Sequence, residues 1–174
     1  AYAAPPEFGL DWLNDWWTGA RQEQAASSAD SPDDFRFVYM GPAGSWTPLH
    51  HDVLCSYSWS ANVCGRKRWL LFPPSVTCHL KDAAGRLVPD ARPEVIAEAA
   101  HASRWPNLHL ALAQCVDVEQ LAGEIIFVPS GWHHQVHNLE DTISINHNWL
   151  TAAALRSLSR FLLSELQATR RTIA

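Results

Sequence analysis

The sequence predicts a mainly β protein, a jelly-roll barrel with a helix at each end. Three observations carry this. Between Phe35 and Trp149, short runs rich in aromatic and β-branched residues alternate with turns bearing Gly and Pro. On either side of that stretch, apolar residues recur at helical spacing instead. No internal repeat divides the 174 residues, and a chain of this length suits one domain with a workable core. The expected organisation is an N-terminal helical flank over 1–34, a barrel over 35–150 with an insert at about 75–120, and a C-terminal helix over 151–174. The chain starts at Ala1 rather than Met, which reads as an excised domain or fragment.

Taken in order, residues 1–9 are rich in Ala and Pro and extended. Asp11 is placed to cap a helix that runs to about Gln22. Its Trp12, Leu13, Trp16 and Trp17 form an apolar stripe, read as core packing. Residues 24–34 are polar, contain Pro32 and read as a loop. Phe35–Met40 is a strand stopped by Gly41-Pro42-Ala43-Gly44, and Thr47 to about Leu54 is the next extended piece. Tyr57–Cys64 alternates, with Ser58, Ser60, Asn62 and Cys64 on one face. Gly65-Arg66 then gives a tight turn into the strand Lys67–Phe72, a hairpin signal. Pro93 to about Ala102 reads as a helix, 115–118 as a short strand, and Glu124–Val128, His134–His137 and Thr142–Trp149 as strands. From Thr151 to about Arg171, Leu155, Leu158, Leu162, Leu163 and Leu166 give a helix an apolar stripe, suited to docking on the barrel or to dimerisation.

Composition sets bounds. Hydrophobic residues make up 47% and charged residues 18%, a globular balance, and nine Trp point to a core of large aromatics. The formal net charge is −5 with no dense Lys/Arg block, which argues against a nucleic-acid or anionic-membrane partner. No apolar run approaches the roughly 20 residues of a membrane span. Cys55, Cys64, Cys78 and Cys115 show no CxxC spacing, so they read as reduced thiols rather than a zinc site.

The chemistry lies in two stretches. In Thr47-Pro48-Leu49-His50-His51-Asp52, His50 and Asp52 share a strand face. In Gly123 through His134, both His133 and His134 are candidates for a third ligand. Two imidazoles and one carboxylate form the facial triad of non-haem Fe(II) oxygenases, which leaves open positions for oxygen chemistry. A lone His-x-Asp triplet is usually accidental; the joint context gives this one weight. Lys67 is a second feature. It shares a face with Trp69 and Leu71, so it lies either at a solvated strand end or inside a cavity, where it needs an anionic partner. Thr142, Ser144, Asn146 and Asn148 form a polar strand face that either meets solvent or lines that cavity.

Phe37 through Pro48, Asn62 through Lys67, Trp69 through Pro74 and Phe127 through Trp149 together resemble the JmjC (jumonji C) family of Fe(II)/2-oxoglutarate oxygenases. The resemblance covers residues 8–165 and is weakest over 75–120. It implies a double-stranded β-helix of cupin type, with Fe(II) held by His50, Asp52 and His134. His134 is preferred over His133 because it falls on the sixth position of the family's Pro-x-x-Trp-Trp-His. It further implies that Lys67 pairs with the far carboxylate of 2-oxoglutarate, that Thr47 and Asn148 contact the same cosubstrate, and that Ser60 or Asn62 adds a polar contact. O2 is then the second cosubstrate, and the reaction is hydroxylation of a protein side chain coupled to decarboxylation of 2-oxoglutarate. The similarity extends to cytoplasmic lysyl hydroxylases that act on eukaryotic translation release factor 1, which implies that partner and a cytoplasmic location, with the nucleus as the alternative. Competing expectations are a lysine demethylase on the same fold, a non-catalytic cupin-like metal-binding module, and a zinc hydrolase, the last disfavoured by the lack of an HExxH helix.

Overall fold

The computed structural model describes residues 2–24, 35–96 and 103–173. Eight strands form two four-stranded antiparallel sheets. They are β1 Arg36–Gly41, β2 Trp46–His50, β3 Tyr57–Cys64, β4 Lys67–Phe72, β5 Val116–Gln120, β6 Ile125–Val128, β7 His133–Asn138 and β8 Thr142–Trp149. One sheet has the order β1-β8-β3-β6 and the other β2-β7-β4-β5. Consecutive strands alternate between the sheets except at β4 and β5, which are neighbours in one sheet; this is the winding of a jelly roll.

That winding corrects the hairpin expected between β3 and β4. β3 pairs with β8 and β6, whereas β4 pairs with β7 and β5. The Gly65-Arg66 link carries the chain from one sheet to the other. Gly65 has φ +74°, and a Cβ there would run into the carbonyl oxygen of Asp141. Gly65→Ala is therefore expected to cost about 3 kcal/mol and lower the melting temperature by about 6–12 °C. Thermal unfolding by circular dichroism checks this; a change under about 2 °C would show that the link relaxes freely.

The two faces of the first sheet invert the usual pattern. On β3, Ser58, Ser60 and Asn62 are buried, and on β8 so are Thr142, Ser144 and Asn148. Their apolar neighbours Val63 and Ile143 are exposed. The barrel interior is thus polar at this wall, and the polar face of β8 is the inner one. Outside, the N-terminal segment covers part of the sheet. Phe8 stacks on Trp59 and Phe127, and Tyr2 meets Trp59 edge-on. His147 bonds Asp11 at 2.7 Å and Tyr2 at 3.1 Å, tying that segment to β8.

The main hydrophobic core lies on the outer face of the second sheet. Leu70 and Phe72 of β4 pack there with Leu49, Val76, Leu80, Val88, Trp105 and Leu108. The segment expected to be an insert is the lid of this core. Among the described residues it contains a 3-10 turn at Pro74–Leu80 and the helices α2 Pro93–Ile96 and α3 Leu108–Leu112, of which the 3-10 turn and α3 do not stand out in the sequence. The expected helix to Ala102 is described only to Ile96; residues 97–102 lie outside the described residues, as does most of the loop expected over 24–34.

Helix α1 spans Trp12–Gln24, and Asp11 caps it by accepting from the Asn14 amide. Leu13 is buried as expected, but Trp12 and Trp16 are exposed, so the tryptophan stripe is only partly core. A 3-10 turn at Ala152–Ala154 leads into α4, Leu155–Ile173, which rests on the barrel through Leu158 and Phe161. All four cysteines are free thiols. Among the described residues, no helix is long and apolar enough to cross a membrane.

Candidate active site

The site forms between the sheets, where β2 and β7 run side by side. His50 lies opposite His134 in that pair, with ring centroids 4.2 Å apart. The extended stretch expected to reach Leu54 ends as a strand at His50. The chain then bends through a 3-10 turn at Val53–Cys55, with Leu54 and Cys55 in the left-handed region at φ 55° and 50°. This bend leaves Asp52 facing the two imidazoles. One ligand atom from each of His50, Asp52 and His134 lies within 4.8 Å of the others.

Hydrogen bonds set which atoms face inward. His50 Nδ1 donates to the Pro48 carbonyl at 2.8 Å, and His134 Nδ1 sits 3.4 Å from the Trp132 carbonyl. A carbonyl only accepts, so both rings carry their proton on Nδ1 and offer Nε2 lone pairs to the centre. Burial holds His134 well below the ordinary histidine range, which keeps it neutral and available as a donor. Ser58 Oγ donates to Asp52 Oδ2 at 2.7 Å, which fixes the carboxylate and leaves its other oxygen for a cation. This donor set fits a divalent iron with open positions. Ser58→Ala is expected to weaken metal affinity about tenfold, as loss of a supporting hydrogen bond does. Titration with Co(II), followed by its absorption spectrum, checks this; an unchanged affinity removes Ser58 from the role.

The three clustered residues border a cavity of about 230 Å³. Thr47, Lys67 and Asn148 line it, with Tyr39, Asn138 and Asn146. Lys67 is only 4% exposed. Its Nζ donates to Ser144 Oγ at 2.6 Å, and among the described residues no carboxylate pairs with it. Burial pulls its pKa down to about 8. Among the described residues, the only acidic one on the cavity wall is Asp52. A buried ammonium without an anion is a site built for one.

Ser60 and Asn62 do not line this cavity. They share the inward face of β3 but sit deeper in the barrel. Ser60 Oγ donates to Asn146 Oδ1 at 3.0 Å, and Asn62 Nδ2 donates to the Gly65 carbonyl at 2.8 Å. Their place on the wall belongs to Ser58, one pleat nearer Asp52. Asn146, expected only as one member of the polar face of β8, is a further cavity residue. Its Oδ1 accepts from both Ser60 and Ser144, which leaves its Nδ2 as a donor beside Lys67. Asn148 Nδ2 donates to Ser56 Oγ at 3.0 Å. His133 points away from the cavity, near Thr77 and edge-on to His51.

Residues 37–149 match the family described as JmjC domain, hydroxylase. The chain belongs to the JmjC family. It is 48% identical over 172 residues to the 2-oxoglutarate and iron-dependent oxygenase JMJD4 of Danio rerio, across 99% of this chain and 37% of that protein. The human protein of the same name is 47% identical over 173 residues, across 99% of this chain and 38% of the relative. The arginine-specific demethylase JMJ20 of Arabidopsis thaliana is 45% identical over 179 residues, again across 99% and 37%. This JmjC chain therefore spans a little over a third of the length of these curated relatives.

Proposed function

We propose that this JmjC domain is an Fe(II)- and 2-oxoglutarate-dependent dioxygenase that hydroxylates a protein side chain. One observation carries the reading: a two-imidazole, one-carboxylate cluster and a buried lysine that no carboxylate among the described residues pairs with face the same cavity. The names of the animal relatives, each an iron- and 2-oxoglutarate-dependent oxygenase, support it. His50, Asp52 and His134 would hold the iron. Lys67, with the Asn146 amide beside it, would hold the far carboxylate of 2-oxoglutarate, and Thr47 and Asn148 would border its path. When bound, iron and 2-oxoglutarate supply the oxidising chemistry: O2 and the keto acid become succinate, CO2 and an oxygen placed on a substrate carbon. The protein's part is orientation and shelter. Ser58 holds the Asp52 carboxylate, the Pro48 carbonyl holds the His50 ring, and Trp69 stacks against His134 at 5.8 Å.

For the substrate we put first a lysine of translation release factor 1, met in the cytoplasm, because of the likeness over residues 35–74 and 123–149. A demethylase is the second reading, since the Arabidopsis relative carries that name. Mass spectrometry of release-factor peptides after incubation with Fe(II), 2-oxoglutarate and O2 separates the two. A gain of one oxygen on lysine supports the first. Loss of a methyl group from a methylated peptide with no oxygen gain supports the second.

A further inference from the structure

The two sheets have four edges, and three of them are guarded against pairing with another chain. β5 carries the acidic Asp117 and Glu119. β6 has only four residues and is closed by Pro129. β2 is capped where the Leu49 amide donates to the Pro89 carbonyl at 3.0 Å. Charges, short strands and covering segments are the usual protections of an edge. β1 carries a charge only at its first residue, Arg36, and is followed by Pro42, but over Phe37–Gly41 it has neither a charge nor, among the described residues, a segment that covers it. It is six residues long and pairs only with β8 among the described residues. From Phe37 to Leu49 the chain contains no charged side chain. Val38 is 64% exposed, Tyr39 52% and Met40 74%. This uncharged stretch of the edge is continuous with the cavity, because Tyr39, Met40 and Gly41 line it.

We propose that the β1 edge is the docking site of the polypeptide substrate, which adds to the sheet as an extended strand. The inference rests on the protein-hydroxylase reading. In such a strand, side chains alternate between faces. The residue that comes to lie beside Tyr39 therefore shares its face and turns into the cavity. Its immediate neighbours turn outward, onto the face where Val38 meets Ile145 and Met40 meets Ile143. The uncharged edge favours a segment whose flanking residues are apolar or β-branched, so that the acceptor side chain is the only polar group buried. Backbone hydrogen bonds then supply affinity, and the cavity supplies selectivity.

The test uses the whole chain loaded with Mn(II) and 2-oxoglutarate, with a release-factor peptide as probe, read by amide hydrogen exchange. Amides within Val38–Gly41 are expected to gain protection when the peptide binds. In turnover with Fe(II), N-methylation of alternate peptide amides is expected to raise KM about tenfold at the positions that pair with β1 and to leave the others unchanged. Val38→Lys is expected to raise the peptide KM by a similar factor while leaving peptide-independent 2-oxoglutarate turnover intact, and Val38→Thr to behave as wild type. A peptide that is hydroxylated while β1 stays unprotected and the N-methyl scan is flat would overturn strand addition and leave the hydroxylase reading standing. An enzyme that turns over 2-oxoglutarate but neither binds the release-factor peptide nor is stimulated by it would sink the substrate reading, and this inference with it.

Discussion

His134→Ala is expected to abolish iron binding and to lower turnover at least about 1000-fold, a loss of about 4 kcal/mol. His133→Ala is expected to keep both within about fivefold and to cost stability instead. The two histidines are neighbours in sequence, but β7 turns them to opposite faces. His134 shares the inner face with the Nε2 of His50 and the carboxylate of Asp52. His133 is buried on the outer face, where burial pulls its pKa down to about 4. Removing it leaves a gap beside His51 and Thr77 rather than an empty ligand position. Equilibrium dialysis with Fe(II) under argon, beside thermal unfolding, separates the two effects. The reverse order of metal affinities would show that the other histidine is the ligand.

Lys67→Ala is expected to weaken 2-oxoglutarate binding about 100-fold while leaving iron affinity close to wild type. Truncating one partner of a buried charge pair costs about 2–5 kcal/mol, because the remaining charge stays buried alone. Here that charge would be the far carboxylate of the cosubstrate. A pH dependence follows. The free protein holds Lys67 with a pKa lowered to about 8, so its ammonium is fully present below that pH and is lost as pH rises through it. The 2-oxoglutarate Kd is therefore expected to be flat at pH 7 and to rise up to tenfold per unit above about 8. Calorimetric titration of the metal-loaded protein at several pH values measures both. An unchanged affinity in the Lys67 variant would remove this residue from the site.

The strands were legible where the period of two ran long enough. β3 and β8, eight residues each, have the bounds that their alternation gives. The side on which the polar face of β8 would lie was not legible. An alternating strand reads the same whether its Ser and Asn meet water or a cavity, and only the second sheet closing over Ser144 and Asn146 decides it. The Gly65-Arg66 turn misled for a related reason. A short link with a Gly reads locally as a hairpin, but pairing is settled by which partner strands lie nearby, and β3 and β4 find theirs in different sheets. Within 75–120 the 3-10 turn at Pro74–Leu80 and the five-residue helix α3 resisted because each is too short to show a period, whereas the start of α2 was marked by Pro93. At the site, His50, Asp52 and His134 stood out by residue type and spacing. Ser58 did not, because the alternation places Ser58, Ser60 and Asn62 on one face without saying which lies nearest Asp52.

The most direct test of the account is anaerobic. Fe(II) and then 2-oxoglutarate are added to the folded chain, and the visible metal-to-ligand charge-transfer band of the chelate is recorded beside the Asp52→Ala variant. The expected result is a band in the wild type that saturates with 2-oxoglutarate and is absent from the variant. A folded wild-type chain that takes up Fe(II) yet shows no band at saturating 2-oxoglutarate would contradict the assignment of this cavity.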